Sequence, residues 1–301
     1  MTGKARRCGF VSIIGAPNSG KSTLINRLVG AKVSIVSPKV QTTRTRVMGI
    51  VNQGGTQIVF VDTPGIFAPR KRLDRAMVSA AWQGAAEAEI ILLIVEVAKD
   101  KINPESQAII DKLKKQGRKV TLVLNKIDLI EKNKLLKISA GLYETGVFND
   151  IYMISALSGD GVDRLLQDLA GKMPAGPWMF NEDQISDMPL RLLAAEITRE
   201  KIFLQLKEEL PYASAVATET WEEFDNGSVK ISQVIYVMRD SQKAIILGKG
   251  GAQIKKIGEA ARLELEEILG RRVHLRLFVK VRENWGDDPE RYREWGLDPN
   301  A

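Results

Sequence analysis

The chain has 301 residues, of which 44% are hydrophobic and 27% charged, with 44 Lys and Arg against 37 Asp and Glu and a net charge of +7. This length and balance suit two packed domains and exclude a largely disordered chain. The longest apolar run, Ile90 to Val95, falls far short of the roughly 20 residues that a spanning helix needs, so no transmembrane segment is expected.

The N-terminal stretch MTGKARRCGF has basic residues but no apolar core or cleavage site, which predicts a cytoplasmic protein and leaves peripheral contact at the inner membrane open. Cys8 is the only cysteine and no Cys/His cluster has zinc spacing, which excludes an internal disulfide and a structural zinc. The single histidine, His274, sits in the alternating run RRVHLRLFVKV and reads as a strand position rather than a general base. Charge is unevenly distributed: residues 1–180 carry 26 basic and 15 acidic side chains, residues 181–238 carry 5 and 11, and residues 239–282 carry 11 and 5. Two basic regions flanking an acidic one point to separate polyanionic partners.

In chain order, apolar runs near 10–14, 58–61, 90–95, 120–124 and 151–154 predict strands, separated by helical patterns near 22–29, 73–86, 105–116 and 161–170. Runs that are apolar at consecutive positions suit a parallel sheet covered on both faces. Residues 46–51 are expected to pair as an antiparallel edge strand through the turn NQGGT. The result is an α/β domain over 1–174 with a mostly parallel sheet. The proline-punctuated stretch at 175–189 reads as a linker. Beyond it, over 190–301, the order is helix 190–207, strands 213–221 and 229–238, helical segments on either side of GKGG, and a strand at 271–281. That αββααβ order describes a smaller α+β domain.

The stretch GAPNSGKSTL joins the first strand to the first helix and fits the P-loop pattern G-x-x-x-x-G-K-[ST]. Backbone N–H groups converge on a phosphate only where no Cβ intervenes, as at Gly15 and Gly20. Asn18, Ser19, Gly20, Lys21, Ser22 and Thr23 are therefore the expected phosphate-binding residues, with Lys21 adding a full positive charge and Ser22 a hydroxyl for Mg²⁺. VFVDTPG places Asp62 at a strand end, where it can hold a Mg²⁺-bound water, and Gly65 where its N–H can meet a γ-phosphate. The polar segment SPKVQTTRTR between them is the expected switch, ordered by a γ-phosphate and released by its loss. Thr43 is the expected metal ligand there, with Thr42 the alternative. Lys21, Thr43 and Gly65 form the expected catalytic set.

VTLVLNKID ends a strand with Asn125, Lys126 and Asp128. An ionised Asp accepts only, and guanine presents two adjacent donors where adenine has neither. ISALSGDG adds Ser155, Ala156 and Leu157, with the Ala156 N–H expected to approach the guanine carbonyl.

Together these words are similar to those of the translation-factor-class GTPases. Ile66 stands where Ras-like GTPases carry the glutamine that orients water, so slow intrinsic hydrolysis is expected. In related GTPases lacking that glutamine, an asparagine at the position of Asn18 helps hold K⁺, which makes potassium stimulation an expectation for this chain.

In the second domain, Gly248-Lys249-Gly250-Gly251 is a G-x-x-G loop between helical segments. Bare backbone lets a nucleic-acid phosphate approach, and Lys249, Lys255 and Lys256 neutralise it. KH domains clamp about four nucleotides this way. Ile246, Ile254, Ile257 and the strand from Val273 are expected to form the adjoining groove.

With both halves in place, the whole chain resembles the Era family of bacterial ribosome-assembly GTPases through QTTR, REKIFLQLKEELPYASAV and ILGKGGAQIKKIG. The resemblance implies a KH domain of prokaryotic topology that binds the 3′ end of 16S rRNA during maturation of the 30S subunit, in a monomer that binds GTP and GDP. Thr45 departs from the histidine expected there. The roles of Trp285, Trp295 and the acidic tail near 283–298 are left open.

Overall fold

The computed structural model describes residues 6–39, 42–69, 71–98, 101–283, 285, 288, 292–293, 295–298 and 300. Val40 and Gln41 of the expected switch, and several residues of the acidic tail, lie outside these.

The first sheet has the order β2-β3-β1-β4-β5-β6. Its strands are β1 (Arg7–Ile14), β2 (Val47–Gln53), β3 (Thr56–Asp62), β4 (Ile90–Glu96), β5 (Val120–Asn125) and β6 (Phe148–Ile154). Only β2 runs antiparallel, paired with β3. All residues of β3 and β5 are buried, as expected for strands covered on both faces. Each fully buried Val, Leu or Ile side chain contributes about 1.5–3 kcal/mol, so these strands anchor the domain.

Parallel strands need crossovers, supplied by α1 (Lys21–Val29), α2 (Arg72–Glu87), α3 (Pro104–Lys115) and α4 (Lys132–Tyr143), and α5 (Val162–Lys172) follows the last strand. The sequence reading missed α4, whose apolar residues Leu135, Ile138 and Leu142 carry a sparse helical period among lysines. β1 lies between β3 and β4, so successive connections leave it in opposite directions. A crevice opens at the carboxyl end of such a strand, and it is the usual ligand site of doubly wound sheets.

The second sheet, β7 (Ser214–Glu223), β8 (Val229–Val237) and β9 (Val273–Val281), pairs β7 with β8 antiparallel and β8 with β9 parallel. It packs with α6 (Leu190–Gln205), α7 (Asp240–Leu247) and α8 (Ala252–Leu269) around Ile202, Ile235, Ile246, Ile257 and Leu265.

The chain forms two compact units, but they are not divided linearly. One comprises 1–34, 43–187 and 292–301, the other 35–42 and 188–291. Most of the expected linker at 175–189 thus packs with the first unit. Gln57 explains this: its Oε1 accepts from Met179 N and Phe180 N at 2.9 and 3.0 Å, and its Nε2 donates to Phe180 O. Further on, Ile185 O accepts from Ile50 N at 2.9 Å and Asp187 Oδ1 accepts from Met48 N at 3.0 Å. The connection thereby covers the exposed edge of β2, which would otherwise leave a row of unpaired backbone groups.

The aromatic residues of the tail are packed into the protein. Trp285 is buried and donates its Nε1–H to Ala213 O at 3.1 Å, while the Tyr292 ring lies tilted beside Trp295 and under the Arg72 guanidinium. None of the helices among the described residues is long and apolar enough to cross a membrane.

Candidate functional site

The P-loop leaves β1 at Gly15, and its backbone is bent to present N–H groups. Asn18 has φ 61° and Gly20, the N-cap of α1, has φ 102° with no side-chain cap. The first N–H groups of α1 are therefore left for an external acceptor, which the helix dipole favours as an anion. Neither glycine can be replaced without a clash: a Cβ at Gly15 would lie 2.5 Å from Ile94 O, and one at Gly20 would lie 2.1 Å from Asn125 Nδ2.

Lys21 is 6% exposed and donates to Gly15 O and Ala16 O at 3.2 and 2.9 Å. Burial pushes its ammonium down to about 8, opposed by the charge of Asp62. The hydroxyl of Ser19 is buried with no hydrogen-bond partner among the described residues. A buried cation beside an orphaned hydroxyl and bare amides fits a phosphate chain.

Three distant segments meet beside Lys21. Ser22 Oγ donates to Asp62 Oδ2 at 2.9 Å and lies 2.9 Å from Thr43 Oγ1. Asp62 is fully buried; desolvation raises its pKa, opposed by Lys21 and by hydrogen bonds from Ser34 and Ser22. Its Oδ1 has no partner among the described residues. An oxygen-rich set with an orphaned carboxylate oxygen fits a hard divalent cation such as Mg²⁺. Thr42, by contrast, turns its hydroxyl back to Lys39 O at 2.8 Å.

Gly65 sits against the P-loop, where a Cβ would come within 3.1 Å of Pro17 N, and the next residue's amide, Ile66 N, donates to Gly15 O at 3.0 Å. The Ile66 side chain is 7% exposed and belongs to the sheet core. An apolar, buried side chain cannot orient water.

Asn125 ends β5 and bridges two loops, donating to Ser19 O at 2.8 Å and accepting from Ala156 N at 2.9 Å. The Ala156 N–H, expected to face the base, is thus directed to Asn125 in this structure, because the small residues that allow close approach also let the amide side chain in. Lys126 adopts φ 68° and pairs with Glu96 at 3.0 Å, while Asp128 stands exposed in a single turn over Ile127–Leu129. Ser155 is buried, its Oγ accepting from Ser158 N at 3.2 Å, and Leu157 is exposed.

Two residues of this site escaped the sequence reading. Arg27 of α1 donates to the carbonyls of Ala156 (3.3 Å) and Leu157, holding the loop after β6. Ser34 donates to Asp62 Oδ2 at 2.8 Å and is itself held by Asn26. Both act through the fold, and neither lies in a recognisable word of sequence.

In the second unit, Gly248, Gly250 and Gly251 have φ of 71°, 59° and 78°, and Gly251 caps α8 without a side chain. Lys249, Lys255 and Lys256 are exposed around it. A groove of about 460 Å³ between α8 and β9 is lined by Ile254, Lys255, Gly258, Glu259, Arg262, Leu275 and Leu277. Ile254 and the strand from Val273, through Leu275 and Leu277, line it as expected, and the rest of the expected lining is corrected. Ile246, Ile257 and Val273 are 0%, 0% and 2% exposed and belong to the core, because the two faces of α8 divide Ile254 from Ile257. Gly258 lets the helix approach, since a Cβ there would stand 3.3 Å from Leu277 Cδ1. Arg262 also borders a wider cleft holding Lys230, Arg272, His274 and Arg276 together with Glu266, which accepts from Arg262 at 2.7 Å. His274 is exposed there, edge-on to Phe224.

A buried P-loop, a distant carboxylate gathered with Ser22 and Thr43, and an N-K-x-D turn at the end of β5 define a P-loop GTPase, here joined to a module with a G-x-x-G loop. A family model for the 50S ribosome-binding GTPase matches residues 10–126, and one for the KH domain matches 209–286. GTPase Era of Afipia carboxidovorans is 59% identical over 97% of this chain and 94% of its own length, and GTPase Era of Rhizobium meliloti is 60% identical over 97% and 93%. The crystal structure of Era in complex with MgGDPNP and nucleotides 1506–1542 of 16S ribosomal RNA superposes with a TM-score of 0.90 at 43% identity, covering 97% of this chain and 99% of that one. A variant of Aquifex aeolicus Era bound to GDP and aluminium fluoride superposes with a TM-score of 0.89 at 43% identity, covering 96% and 99%. The chain belongs to the Era family of GTPases.

Proposed function

We propose that this protein binds and hydrolyses GTP with Mg²⁺ and, in a nucleotide-dependent way, binds the 3′ end of 16S rRNA during assembly of the 30S subunit. The observation that carries the reading is the meeting of Ser22, Thr43 and Asp62 beside the buried Lys21. Three segments far apart in sequence contribute one oxygen each, at the spot where a metal beside a triphosphate belongs.

Lys21 and the bare amides from Asn18 to Thr23 would hold the phosphates, and Ser22 and Thr43 would ligate the metal, with Asp62 acting through a bound water. When bound, Mg²⁺ neutralises charge on the β- and γ-oxygens. The engagement of the Thr42 hydroxyl by Lys39 O favours Thr43 as the switch ligand. The Gly65 N–H would donate to a γ-oxygen from the loop that packs against Pro17. Asp128 would accept from the base while Asn125 joins the base loop to the P-loop. Because Ile66 cannot orient water, turnover is slow unless backbone or a partner does so. Potassium beside Asn18 is part of the proposal: equal turnover in K⁺ and Na⁺ would remove it.

The apolar groove beside Gly248 to Gly251, with Lys249, Lys255, Lys256 and Arg262 around it, suits splayed bases beside a clamped backbone. The Era structure with bound 16S rRNA fragment supports the same partner for this chain. We read the protein as a monomer acting in the cytoplasm, with peripheral contact at the inner membrane not required.

Competition of ATP against bound GTP tests the base-reading residues, and crosslinking to cellular RNA tests the partner: the reading expects GTP selectivity and enrichment of the 16S 3′ end. A second reading, a nucleotide-sensing RNA chaperone with negligible turnover, draws on the buried Ile66. Multiple-turnover phosphate release separates the two.

A further inference from the structure

A pocket of about 500 Å³ lies between α2 and α3, and every residue that lines it belongs to the unit containing the P-loop. Sites that enclose a small molecule have this size. Helical spacing builds it. Val78 and Trp82 stand one turn apart on α2, and Glu105, Ala108 and Lys112 share one face of α3. Ala108 is the small residue on that face, and its missing bulk leaves the space.

The lining is mostly apolar. Ile66 and Ile109 are 7% and 2% exposed and belong to the sheet core. Phe67, Pro69, Trp82 and Pro104 bring rings to the walls. Flat walls favour a flat occupant, because offset and edge-on contacts between rings add to what area burial alone supplies.

Two charged residues complete the lining, and their surroundings differ. Glu105 sits in the first turn of α3, where the helix dipole favours a carboxylate. Lys112 stands two turns further, roughly 10 Å along the axis. Its Nζ lies 4.1 Å from the centre of the Trp82 ring, and it has no acidic partner among the described residues. The indole face holds the ammonium at the pocket, and N–H donors remain for an external acceptor. A cation fixed on an aromatic wall complements an aromatic ligand that ends in an anion.

The wall formed by Ile66 to Pro69 continues directly from Gly65. Ile66 N donates to Gly15 O at 3.0 Å, which ties this wall to the P-loop. An occupant packed on the wall therefore holds the chain beside the phosphate site.

We propose that this pocket binds a small aromatic acid, with its rings between α2 and α3 and its anionic group on Lys112, and that the occupant restrains residues 66–69 and slows turnover. The effect on turnover rests on the reading above that Gly65 donates to the γ-phosphate. A ligand that holds residues 66–69 against α2 and α3 opposes that approach.

The test uses the full-length protein with GDP and Mg²⁺, labelled with 5-fluorotryptophan, the Trp82 resonance being assigned with Trp82→Phe. The probes are 1-anilinonaphthalene-8-sulfonate and N-phenyl-1-naphthylamine, which has similar rings without the sulfonate. Both are expected to shift the Trp82 resonance saturably. Lys112→Met should weaken the sulfonate probe about tenfold, the loss of one charged contact, and leave the neutral probe unchanged. Ala108→Phe, which fills the pocket from an exposed helix position, should abolish the response to both; if it fails to fold, Ala108→Leu decides in the same way. No saturable response in the unmodified pocket, a response that survives the filled pocket, or equal weakening of both probes by Lys112→Met would overturn the proposal. With GTP, saturating sulfonate probe should lower phosphate release about threefold or more, and have no effect in Ala108→Phe. Unchanged release with the pocket occupied overturns the restraint. Gly65→Ala with normal release would show instead that the reading of Gly65 had failed.

Discussion

The two halves of the molecule use one device in opposite surroundings. Each begins a helix on a left-handed glycine without a side-chain cap, Gly20 before α1 and Gly251 before α8, so each offers amides to an anion. At Gly20 there is no room for a Cβ, and Lys21 beside it is 6% exposed. At Gly250 and Gly251 a Cβ would meet nothing within 4 Å, and the neighbouring lysines are exposed. Burial turns the first into a site for one nucleotide of fixed shape. In the function proposed above, exposure suits the second to clamp a polymer, with affinity set by counterion release.

Lys21→Ala breaks this comparison most severely. Removing the buried cation is expected to lower GTP turnover by about 10²–10³-fold or more, the range seen when one charge-stabilising donor is lost. Phosphate release under multiple turnover measures it, and RNA binding through the second unit should persist.

A pH series isolates the same residue. Burial, opposed by Asp62, sets the folded pKa of Lys21 near 8, below its ordinary 10.5. The folded chain therefore binds fewer protons than the unfolded chain between those values. The stability penalty of burying the cation is complete below pH 8 and shrinks as pH rises toward 10.5. Nucleotide phosphates favour the protonated form, so affinity for GDP should fall above pH 8, approaching about tenfold per pH unit. Calorimetry in buffers of different ionisation enthalpy should show proton uptake on binding, absent in Lys21→Arg.

Paired glycine substitutions sharpen the contrast. Gly20→Ala must push Asn125 aside and should abolish measurable GDP binding. Gly250→Ala meets only backbone strain, about 1–2 kcal/mol, and should weaken RNA binding roughly tenfold while the nucleotide site is untouched.

Lys255→Ala is the mildest test. Losing one phosphate contact should reduce the slope of log affinity against log salt by about 0.7 for single-stranded RNA. Anisotropy across a salt series reads it.

What was legible in the sequence was local chemistry. Glycines, a lysine and a carboxylate at fixed spacing name their ligand because each must stand near one phosphate or one base edge. The strands could be read because their apolar runs are continuous. What was hidden depends on three-dimensional approach. Arg27 reaches a carbonyl 129 residues away, and Arg199 reaches one 157 residues away. Ile254 and Ile257 look equivalent in a sequence but face different sides of α8. The stretch at 175–189 reads as a linker because nothing in it signals that Gln57 will bind its backbone.

The central claim is that the nucleotide held at Lys21 governs the groove beside Gly248. It is tested most directly by the affinity of the full-length protein for an oligonucleotide of the 16S rRNA 3′ end, measured with Mg²⁺ and either GDPNP or GDP. The account predicts tighter binding with GDPNP, by about fivefold or more. Equal affinity in the two states would contradict it, leaving two modules that share a chain without sharing a signal.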